Sequence, residues 1–193
     1  MRVAPVRNPA LIVVDVQRDF MPGGALPVPK GDEVVPPLNV LISYFAERGF
    51  TVIYTRDWHP PDHISFKQRG GPWPPHCVQG SEGAEFHPDL AVPEGAVIVS
   101  KATDRDKDAY SGFEGTNLKE ILEKRGVRRL FVGGVATEYC VRATVLDALK
   151  LGFEVFVVED AVRGIDPSDE ERAKNEMVRE GAVLVRLDEI LLR

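Results

Sequence analysis

No apolar run in the chain approaches the roughly 20 residues that a bilayer-crossing helix requires, which argues against a membrane protein. Nor is there a stripe of lysine and arginine. Twenty-four basic against 30 acidic side chains leave a net charge of -6, so nothing electrostatic points to nucleic acid. The cysteines number only two, Cys77 and Cys140, too few for a disulfide framework, and the expected compartment is the cytoplasm. Pro5 and Pro9 interrupt the start of the chain, which lacks the charged segment and apolar stretch of a secretory leader. No Gly-x-Gly-x-x-Gly follows the first apolar run, which disfavours a dinucleotide-binding domain. Repeats, linkers and low-complexity tracts are missing too, so residues 1–193 are expected to form one domain with a sizeable core.

What the chain does have is an alternation of Val/Ile-rich runs with segments of helical spacing. The runs Ala10–Val14, Thr51–Thr55, Ala96–Ser100, Val127–Val132, Phe153–Val158 and Ala182–Val185 read as buried strands of a mostly parallel sheet. Between them, a helix starts near Asp32 as N-cap and stops at Gly49, and a second is capped by Thr116 and ends at Gly126. A third runs from about Glu138 to Leu151. Ser168 with Glu171 forms a capping-box pattern for a fourth, and Asp188 begins a short fifth. Right-handed crossovers then place helices on both faces, giving a three-layer α/β/α fold.

The chemically assertive residues stand just beyond the ends of these runs. Asp15 closes the first, Asp57 and His59 follow the second, Lys101 follows the third, and Cys140 lies shortly after the fourth. Ligands of open α/β sheets bind beyond the carboxyl ends of the strands, so four segments deliver reactive groups to one edge. From Arg56 to Gly95 no periodicity holds, and this stretch carries seven prolines and all four histidines. An irregular segment of that length within a domain is usually functional. Asp57 and His59, two apart on extended chain, can point the same way, and His76 is the natural third donor for a divalent metal such as Zn, Mn or Fe. His63 and His87 compete for that third place, with His63 better suited to a supporting hydrogen bond. The alternative for each histidine is a loop residue bonded to backbone.

Cys140 opens a helix, where unpaired N–H groups lower a thiol's pKa; an isolated cysteine is also commonly a small core residue, and position alone does not choose. Cys77 is its rival but lacks the helix-terminus setting. Asp15, partly desolvated, would have a raised pKa suited to accepting a thiol proton, or it caps the next turn. Lys101 beside both would favour carboxylate and thiolate; alone it would read as a surface lysine. Asp19 reads as a structural acceptor in its loop.

Five blocks occur together and in order: Asp15-Val16-Gln17-Arg18-Asp19-Phe20, Asp57-Trp58-His59-Pro60 with His63, Pro75-His76-Cys77-Val78, Lys101, and Gly134-Val135-Ala136-Thr137-Glu138-Tyr139-Cys140-Val141. As a set they resemble the cysteine-hydrolase (isochorismatase-like) superfamily and, within it, the nicotinamidase/pyrazinamidase group. The resemblance implies a sheet of order 3-2-1-4-5-6 and an amidase that converts nicotinamide and water to nicotinate and ammonia in NAD salvage. It further implies Cys140 as nucleophile, Asp15 as general base and acid, and Lys101 as third member. Asp57, His59 and His76 would be the metal ligands, with one divalent ion, most simply zinc. The Val135–Ala136 peptide would be cis, and the Ala136 and Cys140 amides would form an oxyanion hole. Phe20, Trp73 and Tyr110 would enclose the substrate ring.

Three rival readings remain at this level. In one, a metal-hydroxide hydrolase leaves Cys140 structural. In another, a sister amidase of the superfamily acts on a different small amide or carbamoyl compound. In the third, the chain is a noncatalytic sensor that keeps the pocket. A homo-oligomer is possible, although no heptad pattern compels one.

Overall fold

A computed structural model describes residues 8–191; Pro5 lies outside the described residues. Six parallel strands form one sheet of order β3-β2-β1-β4-β5-β6, as the resemblance implies. They are β1 (Ala10–Val14), β2 (Thr51–Asp57), β3 (Val97–Lys101), β4 (Arg129–Val135), β5 (Glu154–Arg163) and β6 (Val183–Val185). Helices α1 (Val35–Glu47), α2 (Leu118–Lys124), α3 (Arg142–Lys150), α4 (Pro167–Arg179) and α5 (Leu187–Leu191) alternate with them. Successive side chains of a strand point to opposite faces, and β1 shows the result. Leu11 and Val13 join Leu38, Leu41, Phe45 and Ile190 on the side of α1 and α5. Ala10, Ile12 and Val14 join Leu118, Val145 and Met177 on the side of α2, α3 and α4. Both faces of the sheet are therefore covered, which is why its strands read as continuous apolar runs. Among the described residues, no helix is long and apolar enough to cross a membrane.

Several boundaries differ from the sequence reading. Asp32 does not cap α1; it sits inside a 3-10 turn, Gly31–Val34, that leads into the helix, and Pro36 and Pro37 occupy positions where no intrahelical N–H is needed. Asp166, not Ser168, caps α4, accepting the Asp169 N–H at 3.0 Å, because Pro167 fits the first helical position. Asn117 is the N-cap residue of α2, yet the Thr116 hydroxyl accepts the Leu118 N–H at 3.2 Å and so does part of the expected work. Cys140 belongs to a π-helical turn, Thr137–Val141, that precedes α3. β5 runs five residues past Val158, with a register break between Val132 and Gly134, and no periodicity survives such a bulge.

At Gly134 the sheet closes tightly over the site. Its φ is +126°, and a Cβ there would lie 2.1 Å from the Val14 carbonyl oxygen. Only glycine lets β1 and β4 approach so closely where the reactive groups gather.

Candidate active site

Register places the groups. Asp57 and Lys101, the last residues of β2 and β3, face each other across the ladder. Asp15 follows β1 with a φ of +51° and donates its N–H to the Thr55 carbonyl at 3.1 Å. Lys101 is the centre: its Nζ lies 2.9 Å from Asp15 Oδ2, 2.5 Å from Asp57 Oδ1 and 3.5 Å from Cys140 Sγ. The Thr55 hydroxyl donates to Asp15 Oδ1 at 2.8 Å. Asp15 Oδ2 has no well-angled hydrogen bond and relies on the Lys101 ammonium instead. The Asp15 and Lys101 side chains have no solvent exposure at all.

Burial sets the electrostatics. It raises the Asp15 carboxyl above its ordinary value, Asp57 adds to the rise, and Lys101 opposes it. Burial also works against the Lys101 charge, but Asp15 and Asp57 outweigh it and hold the ammonium protonated far into the alkaline range. The Cys140 thiol corrects the expectation of a lowered pKa. Burial and the Asp15 carboxylate push it well above the usual thiol value, and Lys101 offsets only part. The resting sulfur is a thiol, in need of a base. Burial works against the Asp57 charge, but the Lys101 ammonium beside it holds the carboxyl below its ordinary value.

The metal-ligating candidates converge on the same floor. One donor atom from each of Asp57, His59 and His76 lies within 4.8 Å of the others. His59 Nδ1 bonds the His76 carbonyl at 2.8 Å, and His76 Nδ1 bonds the Pro74 carbonyl at 2.8 Å. A carbonyl can only accept, so both protons sit on Nδ1 and both Nε2 lone pairs are free. Burial holds the His59 pKa down to about 4, which keeps that imidazole neutral near pH 7. Two imidazole nitrogens and one carboxylate oxygen fit a divalent ion that prefers mixed N/O ligands. His63 is otherwise occupied. Although it forms a second such group with His59 and Asp108, its Nδ1 bonds Ser65 Oγ at 2.7 Å and its Nε2 bonds the Lys107 carbonyl at 2.9 Å. Its ring backs that of His59, with centroids 4.4 Å apart. His87 lies in a separate open groove beside Met21 and Pro22, away from the cluster.

Between the thiol and this cluster lies a narrow cleft of about 30 Å³. Phe20, Trp73 and Tyr110 line it, together with Asp57, His76, Ala136 and Cys140. Trp73 Nε1 donates to the Tyr110 hydroxyl at 3.0 Å, and Phe20 meets the His76 ring edge-on. The Val135–Ala136 peptide bond is cis. Asp19 is a structural acceptor, taking the Cys77 and Ala25 N–H groups at 2.8 and 3.2 Å. Cys77 is buried nearby, and burial beside Asp57 and Asp15 keeps it firmly a thiol. A larger cleft between α1 and α5, lined by Phe45, Phe131 and Phe156, gathers no thiol or imidazole and is not the reactive site.

Sequence reasoning missed several residues here. Leu26, Val28, Tyr139 and Ile165 line the cleft too. Gln17, fully buried, grips Asp57 from behind, donating to its carbonyl at 2.8 Å and accepting its N–H at 2.9 Å. Tyr139 and Gln17 stood inside the quoted blocks and could have been found by adjacency; Ile165 had no sequence signal.

Buried titratable groups gathered at the carboxyl edge of a parallel sheet mark an α/β enzyme. Whole-chain comparison narrows that class. Residues 9–189 match the Isochorismatase domain, and the chain belongs to the isochorismatase family. It is 41% identical over 201 residues to a nicotinamidase of Escherichia coli (strain K12), covering 92% of this chain and 94% of that protein. It superposes on a pyrazinamidase of Pyrococcus horikoshii solved in complex with zinc, with a TM-score of 0.91 and 62% identity over 93% of this chain and 99% of the other. For the L. infantum protein PnC1, solved with nicotinate, the TM-score is 0.87 and the identity 38%, over 93% of this chain and 92% of that one.

Proposed function

We propose that residues 1–193 form one hydrolase domain, a nicotinamidase that hydrolyses nicotinamide, and pyrazinamide, to the acid and ammonia. The observation that carries this reading is a buried Cys140–Asp15–Lys101 cluster beside a narrow cleft that is also lined by Asp57 and His76 of a candidate metal-ligand set. A divalent ion, most simply zinc, held by Asp57, His59 and His76 would offer an open coordination position for a pyridine nitrogen. The relatives named nicotinamidase and pyrazinamidase, and the zinc and nicotinate bound in related structures, support the same assignment.

Asp15 takes the Cys140 proton as sulfur attacks the carboxamide carbon, forming a C–S bond and a tetrahedral oxyanion. Its raised pKa matches it to a thiol whose own pKa is high, and Lys101 holds its carboxylate in place. The Ala136 and Cys140 amides serve as oxyanion donors, where each donor is worth about 10²–10³ in rate. Asp15 then protonates the departing nitrogen, the C–N bond breaks, and ammonia leaves behind a thioester. Water, deprotonated by the same carboxylate, attacks the thioester; the C–S bond breaks, the acid leaves, and the thiol regains its proton. Phe20, Trp73 and Tyr110 enclose the ring. A cytoplasmic role in NAD recycling fits the product.

Ammonia release from nicotinamide by zinc-loaded protein, with Cys140→Ala in parallel, tests the assignment. Release that disappears in the variant is the expected result. Undiminished turnover in Cys140→Ala would sink the thioester scheme, and no release by the wild type would point to another small amide or carbamoyl compound.

A further inference from the structure

Of the residues lining the cleft, Ile165 reaches it from the segment between β5 and α4. It is half-buried, apolar and branched, with no polar task in the site. What holds it there is unusual. The Glu138 carboxylate, two residues before Cys140 in the same π-helical turn, accepts the Ile165 N–H with both oxygens, at 2.9 and 3.1 Å, and the Asp166 N–H at 3.0 Å. Beside it, the Thr137 hydroxyl donates to Glu170 Oε2 at 2.6 Å. Glu138 thus straps the Ile165 segment, and Thr137 the first turns of α4, to the turn that carries Cys140. Gly164 leaves room for both carboxylates: a Cβ there would lie 2.7 Å from Glu170 Oε2 and 2.8 Å from Glu138 Oε1.

We propose that Ile165 sets the size limit of the acyl group that can reach Cys140, and that Glu138 is the positioning residue that keeps this wall fixed relative to the sulfur. Among carboxamides, those with fused or bulky rings are then turned away at Ile165. The naming of carboxamides rests on the nicotinamidase reading; the wall itself does not.

The test measures access to Cys140 directly. Labelling rates with iodoacetamide and with N-benzyliodoacetamide are compared by peptide mass spectrometry, which separates Cys140 from Cys77, in wild type, Ile165→Ala and Glu138→Ala. The bulky-to-small rate ratio should rise about tenfold or more in Ile165→Ala, as hydrophobic pocket walls discriminate on that scale. It should rise in the same direction in Glu138→Ala although Ile165 is intact. A role in folding alone would move both rates together and leave the ratio unchanged. If Glu138→Ala does not fold, Gly164→Ala, which displaces the same carboxylates, takes its place. A ratio in Ile165→Ala within about twofold of wild type would overturn the size limit. A rise there with none in the Glu138 or Gly164 variant would overturn the positioning role. In parallel, the kcat/KM of quinoline-3-carboxamide relative to nicotinamide should rise in Ile165→Ala. If wild type hydrolyses neither amide, the nicotinamidase reading fails while the labelling ratio still decides the wall.

Discussion

Replacing Lys101 with methionine removes one positive charge from between two buried carboxylates while keeping most of the side chain's volume. The ammonium contacts Asp15 at 2.9 Å and Asp57 at 2.5 Å, and Asp15 is fully buried. Breaking a buried ion pair by deleting one partner costs about 3–5 kcal/mol, because the remaining charge stays desolvated and unpaired. Here two charges are stranded, so the upper part of that range applies, against a total stability of about 5–15 kcal/mol for a typical domain. The loss depends on pH. Without Lys101 the folded pKa of Asp57 rises above the unfolded value of about 4 and that of Asp15, already raised, climbs further, so the folded state binds the extra proton. The deficit of the variant is therefore small near pH 4 and grows as pH rises through the raised folded pKa. Urea denaturation at pH 5.5 and pH 8, with chelator present so that no ion compensates Asp57, measures it. Adding Asp57→Asn should restore about 1 kcal/mol or more, since one stranded charge is gone. A variant that loses less than about 1 kcal/mol at pH 8, with no pH dependence, would refute the argument that Lys101 makes the carboxylate pair tenable.

Thr55→Val removes the hydroxyl that fixes Asp15 Oδ1, a hydrogen bond to a charged group worth about 1.5–3 kcal/mol; kcat should fall about tenfold or more, KM should hold, and Thr55→Ser should restore turnover. Gln17→Leu frees the Asp57 backbone from both of its side-chain bonds and should weaken zinc binding about 10–100-fold, read by competition with a chromophoric chelator. In the metal-free protein His59 has a folded pKa of about 4, below its unfolded value of about 6.5, so the unfolded state binds the proton more readily between those limits. Stability is then full above about pH 6.5 and falls by about 3 kcal/mol as pH drops to about 4. His59→Asn should flatten this slope in urea titrations, and an unaltered slope would assign the acid sensitivity to other groups.

The strand ends and their reactive residues were legible because a parallel sheet covered on both faces writes its strands as apolar runs, and because Asp15, Asp57, Lys101 and Cys140 each terminate or follow one. The six-stranded order and the convergence of these residues followed from that pattern together with the motif resemblance. Caps were less legible. Ser168 and Glu171 satisfy a capping-box spacing, yet Asp166 before Pro167 satisfies the same backbone need and wins. The thiol's pKa was misread because the helix-terminus argument omits burial, and at Cys140 burial with Asp15 dominates. Ile165 was invisible because it reaches the cleft through the bulged extension of β5, a feature set by tertiary packing rather than local spacing.

One strand edge ties the two halves of the site together. Thr55 and Asp57 are two apart on β2 and so point to the same side. The first positions the Asp15 carboxylate, and the second belongs to the candidate metal-ligand set. Asp57 divides its two oxygens between the tasks: Oδ1 meets Lys101 at 2.5 Å, while Oδ2 faces His59 Nε2 at 4.0 Å. A shift of β2 by one residue would turn both side chains to the opposite face and dismantle base and metal site in one step. By contrast, the Lys101 contacts to Asp15 and to Asp57 Oδ1 involve neither histidine of the candidate metal site. Ring binding and nucleophile activation therefore share a scaffold but can fail separately, which is why Gln17→Leu and Thr55→Val are expected to damage different functions.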